Sequence, residues 1–356
     1  MTKADLIDSI LTQVPTEHSV TVQFDTMSIE IRSNSDELIG CFRDYFKPFV
    51  IENSSPEVII TAIDSEPLDL PFEFKLKEPD PGKSKVKEEY HDLPDCRIVR
   101  KRLTGMIFIF DGDTNIAIGP ALANSNQVIN FVNNRYINHK LNKGGLLGHA
   151  AGVTYNGRGL GIAGFSGTGK STLALHLLSR GASFVSNDRL IIENHGSMPF
   201  MYGVAKLPRI NPGTALNNPR LISVIPGEEL ERFSSLSSDE LWHLEDKYDV
   251  FIDEYFGANR FVLKSRLKGL VILNWERSGS EMTLRRVDPE VRTDLLPAFI
   301  KSAGLFYFPD RAPKKYNPSP EDYIDILKQC DTFEITGGID FEKAADLCMY
   351  YLTSQE

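Results

Sequence analysis

The stretch from Leu160 to Asp188 constrains this chain more than any other part of it. Leu160–Ala163 is short and apolar, as a buried strand is. Gly164 then opens GFSGTGKST, Leu173–Leu178 has helical spacing, and Gly181 stands where a helix-ending glycine belongs. Ser183–Ser186 reads as a second strand, ending at Asn187–Asp188. Strand, glycine loop, helix and strand in that order predict a βαβ unit, and hence an α/β fold. A short right-handed crossover is expected to set the second strand end beside the loop.

The loop itself points to phosphate chemistry. Gly164, Gly169, Lys170 and Ser171 fit G-x-x-x-x-G-K-[ST], the Walker A pattern. Glycines let the backbone bend around a polyphosphate and approach it without a Cβ. Successive N–H groups and a helix N-terminus add positive potential. Gly164, Ser166, Gly167, Thr168, Gly169, Lys170, Ser171 and Thr172 are therefore the candidate nucleotide cradle. Lys170 is expected on the terminal phosphates, and the Ser171 hydroxyl on Mg²⁺.

Asp188 lies 18 residues after Lys170, at the carboxyl end of the next strand. Ligands of open parallel sheets bind beyond such ends, and a carboxylate there can hold Mg²⁺. The plainer reading is a turn or helix cap. His149, in GGLLGHAAGV, sits among small and apolar residues. By itself it reads more readily as a satisfied core histidine than as a functional one.

Outside this stretch the chain reads as an N-terminal α/β module, residues 1–125, a phosphate-loop domain, 126–310, and a C-terminal helical tail, 311–356. Strands are expected at Val20–Phe24, Ile29–Arg32, Glu57–Ile63, Arg97–Val99, Met106–Phe110 and Asn115–Ile118. Helices are expected at Ser35–Phe46 and, rich in asparagine, at Gln127–Leu141. Residues 66–95 carry five prolines and fourteen charged residues and read as a mobile loop. Residues 226–259 hold ten acidic residues and two basic ones. Ser237 and Glu240 there make a capping-box start. The segment reads as a solvated helical hairpin or, more sharply, as a lid or a patch for a basic partner. Leu267–Asn274 reads as a core strand. Val291–Lys301, Pro320–Cys330 and Asp340–Thr353 read as helices.

Composition narrows the partners. The net charge of −10 and pI near 5.3 make a nucleic-acid ligand a poor candidate. No apolar run approaches the roughly 18 residues of a membrane span. The N-terminus, MTKADLIDSILTQ, lacks the pattern of a secretory signal. Cys41, Cys96, Cys330 and Cys348 are scattered, without a C-x-x-C pair, as in a reducing compartment with no zinc site. A cytoplasmic protein is expected, and formation of a homo-oligomer is left open.

The segment Leu147–Glu193, LGHAAGVTYNGRGLGIAGFSGTGKSTLALHLLSRGASFVSNDRLIIE, resembles the core of the HPr kinase/phosphorylase family. His149 precedes Gly164 by 15 residues, Arg180–Gly181 closes the helix, and Asn187–Asp188 occupies the family's acidic pair. Ala205–Pro219, Leu244–Val250 and Leu267–Trp275 are similar to the group called HprK-related kinase B. The resemblance implies a PEP-carboxykinase-like P-loop core, a mixed sheet with flanking helices, that transfers phosphoryl groups from ATP with Mg²⁺. It implies Lys170 on the β- and γ-phosphates, Ser171 and Asp188 on the metal, and His149 beside the phosphates. The acceptor would be a hydroxyl, on a protein serine or a small molecule.

Two departures stand out. Asn187 replaces the acid implied as the base, and an amide cannot take a proton. The family's Glu-Arg-Gly signature is missing. In its stead stands KLPRINPG, whose Lys206, Arg209 and Asn211 are candidates for contacting acceptor or phosphate, or for holding a rigid loop. A nucleotide-binding regulatory or assembly module with slow hydrolysis is therefore the alternative to a kinase. A carboxykinase-like enzyme acting on an oxo-acid is a third reading. It requires further His, Lys and Asp ligands, which the sequence does not cluster.

Overall fold

The structure, a computed structural model, describes residues 2–12, 14–52, 55–79, 85–196, 198–244, 246–309 and 316–354. The chain divides into two compact units, Met1–Asn142 with Ala303–Tyr316, and Lys143–Ser302 with Asn317–Glu356.

The first unit opens with α1 (Lys3–Leu11), β1 (His18–Phe24), β2 (Met27–Ser33) and α2 (Asp36–Tyr45). The strands β3 (Val50–Ile51), β4 (Val58–Asp64), β5 (Lys75–Leu76), β6 (Glu88–Asp92) and β7 (Arg97–Lys101) follow. β8 (Ile107–Phe110), β9 (Asn115–Gly119) and α3 (Ser125–Asn142) complete it. Its nine strands form one mixed sheet in the order β3-β1-β2-β4-β9-β8-β7-β6-β5. β2–β4 and β4–β9 are parallel, and the other pairings are antiparallel. The IFIF of β8 is buried on both faces. Ile107 and Ile109 join Leu6 and Ile10 of α1 in one core cluster. Phe108 and Phe110 instead meet Phe131 of α3 and Phe306.

The asparagines of α3 have a structural use. Asn138 Oδ1 accepts the Phe308 N–H at 2.7 Å, and Asn142 Nδ2 donates to Phe308 O at 3.2 Å. This ties 303–309 into the first unit, and α3 goes with that unit too. Residues 126–142 of α3 and 303–309 lie within 126–310, the span the sequence predicts for the phosphate-loop domain, and belong instead to the first unit. The expected loop over 66–95 is also corrected in part. Glu88–Asp92 is a full strand against β7, and Leu70 is buried. The remainder of that expectation falls partly on 80–84, outside the described residues.

The second unit begins with β10 (Leu146–Gly148), β11 (Ala150–Tyr155), β12 (Arg158–Gly164), α4 (Lys170–Ser179) and β13 (Ser183–Ser186). β14 (Leu190–His195), β15 (Met198–Tyr202), β16 (Arg209–Ile210) and α5 (Pro212–Leu216) come next. Then follow α6 (Gly227–Ser234), α7 (Ser238–His243), β17 (Tyr248–Asp249), α8 (Ile252–Phe256), β18 (Lys264–Leu273) and β19 (Thr283–Val287). The last elements are α9 (Pro320–Leu327), β20 (Asp331–Thr336) and α10 (Phe341–Thr353). Nine of these strands form a second mixed sheet, β10-β14-β15-β18-β12-β11-β13, with β20 and then β19 added beside β18. β18 is long enough, at ten residues, to pair β15 with its first part and β20 with its second. Its run of buried apolar residues packs in a core with Val185, Leu190, Phe299 and Tyr323.

Three expectations change here, the first being the helical tail over 311–356, which also carries β20, a full strand of the sheet paired with β18. β12 and β13 are not neighbours, because β11 lies between them, antiparallel to both. The tight turn at Asn156–Gly157, both at positive φ, folds β11 back onto β12. The stretch Val291–Lys301 is a short 3-10 turn, Thr293–Ala298, and not an α-helix. Pro297 inside it has no N–H to give to a helix ladder. Among the described residues no helix is long and apolar enough to cross a membrane.

Candidate functional site

The loop between β12 and α4 wraps around its own lysine. Lys170 opens α4 and is only 7% exposed. Its Nζ donates to Gly164 O at 2.7 Å and to Phe165 O at 3.0 Å. Burial pulls its pKa down to about 8, against the opposing pull of Asp188. Gly169 precedes it at φ +89°, and a Cβ there would sit 2.5 Å from the Phe341 ring. Gly164, at φ +154°, is equally tight: its Cβ would lie 2.5 Å from Thr168 Oγ1. The Thr168 hydroxyl turns inward to Phe165 O at 2.9 Å, while Trp275 Nε1 donates to Thr168 O at 2.8 Å. Phe341 of α10 stacks on His176 and meets Trp275 edge-on. These rings fix the back of the loop.

The front of the loop faces a cleft of about 640 Å³. Ser166, Gly167, Gly169, Lys170, Ser171 and Thr172 line it, whereas Gly164 and Thr168 stay behind as structural parts of the loop. His149, Asn187 and Asp188 line the same cleft, as do Lys206, Arg209 and Asn211. Ile210 and Arg209 form a two-residue strand pairing with Tyr248 and Asp249. Asn211 caps α5, with Oδ1 accepting the Thr214 N–H at 2.9 Å. Its oxygen is thus already used, as a rigid loop would use it. Thr214 in turn meets the Thr172 hydroxyl at 3.2 Å.

Asp188 is the centre of a trio with His149 and Lys301. His149 Nε2 lies 3.0 Å from Asp188 Oδ1, and Lys301 Nζ 3.7 Å from Oδ2. Burial opposes ionisation of Asp188, but the His149 bond and the Lys301 charge outweigh it and hold the carboxyl well below its usual range. The backbone explains the meeting. The His149 N–H donates to Phe299 O and the Lys301 N–H to Leu147 O, so 299–301 runs beside the end of β10. Lys301 has no sequence signal of its own. Neither has Phe341, since nothing in local pattern says which ring will back a distant glycine. The trio supplies one histidine, one lysine and one aspartate together, the set that the oxo-acid reading lacked in the sequence.

Beside Asp188, Asn187 Oδ1 is buried and accepts no hydrogen bond. Ser171 and Asp188 thus bring two hard oxygen donors to one cleft, beside the orphaned amide oxygen of Asn187. That donor set fits Mg²⁺. Among the described residues no group of three or more His, Cys, Asp and Glu gathers as a softer metal would require.

No family model matches the chain, and no curated protein matches it. Among solved structures, the Hpr(Ser) kinase/phosphatase from Coxiella burnetii matches over 58% of this chain and 87% of its own. The two share 16% identity, with a TM-score of 0.28. At that score the likeness carries no weight for fold or chemistry, and the functional reading rests on the residues of the cleft.

Proposed function

We propose that this protein is an ATP- and Mg²⁺-dependent phosphotransferase directed at a hydroxyl, built on a PEP-carboxykinase-like P-loop core. One observation carries the reading: a buried lysine ammonium folded into a glycine loop, at a cleft that also holds Ser171, Asn187 and Asp188. The loop N–H groups and the α4 N-terminus would take the β- and γ-phosphates. Lys170 would exchange two carbonyl oxygens for phosphate oxygens. Ser171 and Asp188 would hold magnesium, which neutralises charge on the transferring group. His149 orients Asp188 by its hydrogen bond.

In the step itself the acceptor oxygen bonds to the γ-phosphorus. The bond from that phosphorus to the β,γ-bridging oxygen breaks, and ADP leaves with the electron pair. The hydroxyl proton departs late, to an oxygen of the transferred phosphoryl group, since Asp188 is engaged by His149 and Lys301 and would hold magnesium. Loose phosphoryl transfer depends on positioning more than on early proton removal, so Asn187 suffices to orient the hydroxyl.

Asn187 also supports a second reading, a slow ATPase serving a switch, since it cannot act as base. The test is incubation with γ-labelled ATP, Mg²⁺ and a cell extract. Label in a protein band or a small metabolite supports the phosphotransferase. Label in free phosphate alone supports the second reading, and ATP consumption only with an oxo-acid supports the third. A Lys170→Ala chain that consumes ATP at an unchanged rate overturns all three.

A further inference from the structure

The charged residues of this cleft are not an even sample of the chain. The protein carries a formal net charge of −10. Yet among the described residues the cleft is lined by Lys170, Lys206, Arg209, Lys247 and Arg277 against the single carboxylate of Asp188. The acidic segment 226–259 shows the selection best. It holds ten acidic residues and two basic ones, and the charged side chain it sends to the cleft is Lys247.

Lys170 belongs to the glycine loop. The other four come from elsewhere in the unit: Lys206 after β15, Arg209 on β16, Lys247 just before β17 and Arg277 after β18. Among the described residues Asp188 is already met by Lys301, and Asp249 and Asp239 answer Arg209 and Arg277, so beyond the loop lysine the cleft cations left without an ion pair are Lys206 and Lys247. Arg209 lies 3.4 Å from Asp249 and Arg277 3.1 Å from Asp239, so both are engaged within the protein.

Lys206 is held by nothing comparable. It is half-buried, and among the described residues its ammonium has no ion pair. Burial lowers its pKa first, then the charge of Arg189; Asp188, Arg209 and Asp249 act more weakly. A partly desolvated cation beside other cations is costly until an anion joins it. The same cleft is lined by Asn187, whose buried Oδ1 is an acceptor without a donor.

Resting on the phosphotransferase reading, we infer that the phosphoryl acceptor is itself an anion: a hydroxyl compound bearing a phosphate or carboxylate, which Lys206 and Lys247 hold while its hydroxyl donates to Asn187 Oδ1. A neutral alcohol would leave the half-buried Lys206 ammonium without a counter-ion.

The test uses inorganic phosphate as probe. The full chain is saturated with Mg²⁺ and a non-hydrolysable ATP analogue, and phosphate is titrated in by calorimetry. The wild type is compared with Lys206→Met and Lys247→Met, folding being checked by circular dichroism. Phosphate is expected to bind beside the nucleotide. Each variant should lose about tenfold in phosphate affinity while holding the analogue within about twofold. If Lys206→Met fails to fold, Lys247→Met alone decides.

The inference is overturned if no phosphate binds to the nucleotide-loaded chain. It is also overturned if the variants bind phosphate unchanged, or if they lose the nucleotide itself, which would assign these cations to ATP. Failure of the analogue to bind the wild type is a different result: it removes the phosphotransferase reading, and the inference falls with it. A three-carbon alcohol phosphate and a hydroxy acid, each competing with the bound phosphate, separate the two sources of the anion. Equal competition by glycerol contradicts both.

Discussion

Burial holds the Lys170 ammonium at a pKa of about 8, against an ordinary 10.5. The folded chain gives up this proton before the unfolded chain does, so this group adds stability as pH rises from about 8 to 10.5. Phosphate binding needs the charged form and runs the opposite way. Nucleotide affinity should be level below pH 7.5 and fall by about tenfold per unit above pH 8. Titrating a fluorescent ATP analogue against pH reads this directly, and a flat profile through pH 9 contradicts it. Asn187 offers a second test at the same scale. Asn187→Asp puts a second carboxylate beside Asp188 and the phosphates. It should lower the transfer rate, because like charges repel the triphosphate and raise each other's pKa. A faster aspartate form, with a new acidic limb in its pH–rate profile, would show that the native chain lacks a useful base. Asp188→Asn should remove Mg²⁺-dependent activity, since a pair of neutral amides cannot replace a charged ligand. Full activity at ordinary Mg²⁺ would reduce Asp188 to a strand-end cap.

At the scale of elements, the glycine loop is shaped from behind. α10 packs on α4 through Phe341 and through Arg180, which is paired with Glu342 and Asp346. A methyl group on Gly169 would meet the Phe341 ring and force a left-handed backbone on a residue that resists it. Gly169→Ala is therefore expected to cost about 1–3 kcal/mol of stability and to weaken nucleotide binding more than tenfold. Adding Phe341→Ala should relieve the clash but not the backbone strain. Thermal melts and nucleotide titration of the single and double variants would measure the two separately. A double variant no better than Gly169→Ala would assign the whole cost to φ.

For the whole molecule, the compact units set where the chain can be cut. Val128, Phe131, Val132 and Tyr136 on α3 are buried in the first unit. A chain starting at Asn126 would carry that apolar helix without its sheet, and aggregation is expected. A chain starting at Lys143, with 303–316 replaced by a Gly/Ser linker, is expected to fold and bind nucleotide. Light scattering and nucleotide titration of the two truncations check this. Comparable solubility of both would show that α3 does not need the first unit.

The sequence by itself determined the local chemistry of the loop. Positive φ at Gly167 and Gly169, and a lysine on the first turn of α4, are demands that neighbouring residues impose on one another. It also determined most individual strands, because alternation and apolar runs are local. The Asn156–Gly157 turn was legible in principle, as a short hairpin signal, and would have revealed β11. The tertiary structure alone decided that β11 separates β12 from β13, since strand order arises from pairings between distant segments. It alone brought Lys301 to Asp188, Phe341 to Gly169, and Lys206, Lys247 and Arg277 to one cleft. Those residues lie up to about 170 positions apart from their partners, and no periodicity links them. Sheet register and core packing set such meetings, and both are properties of the folded chain rather than of any window within it.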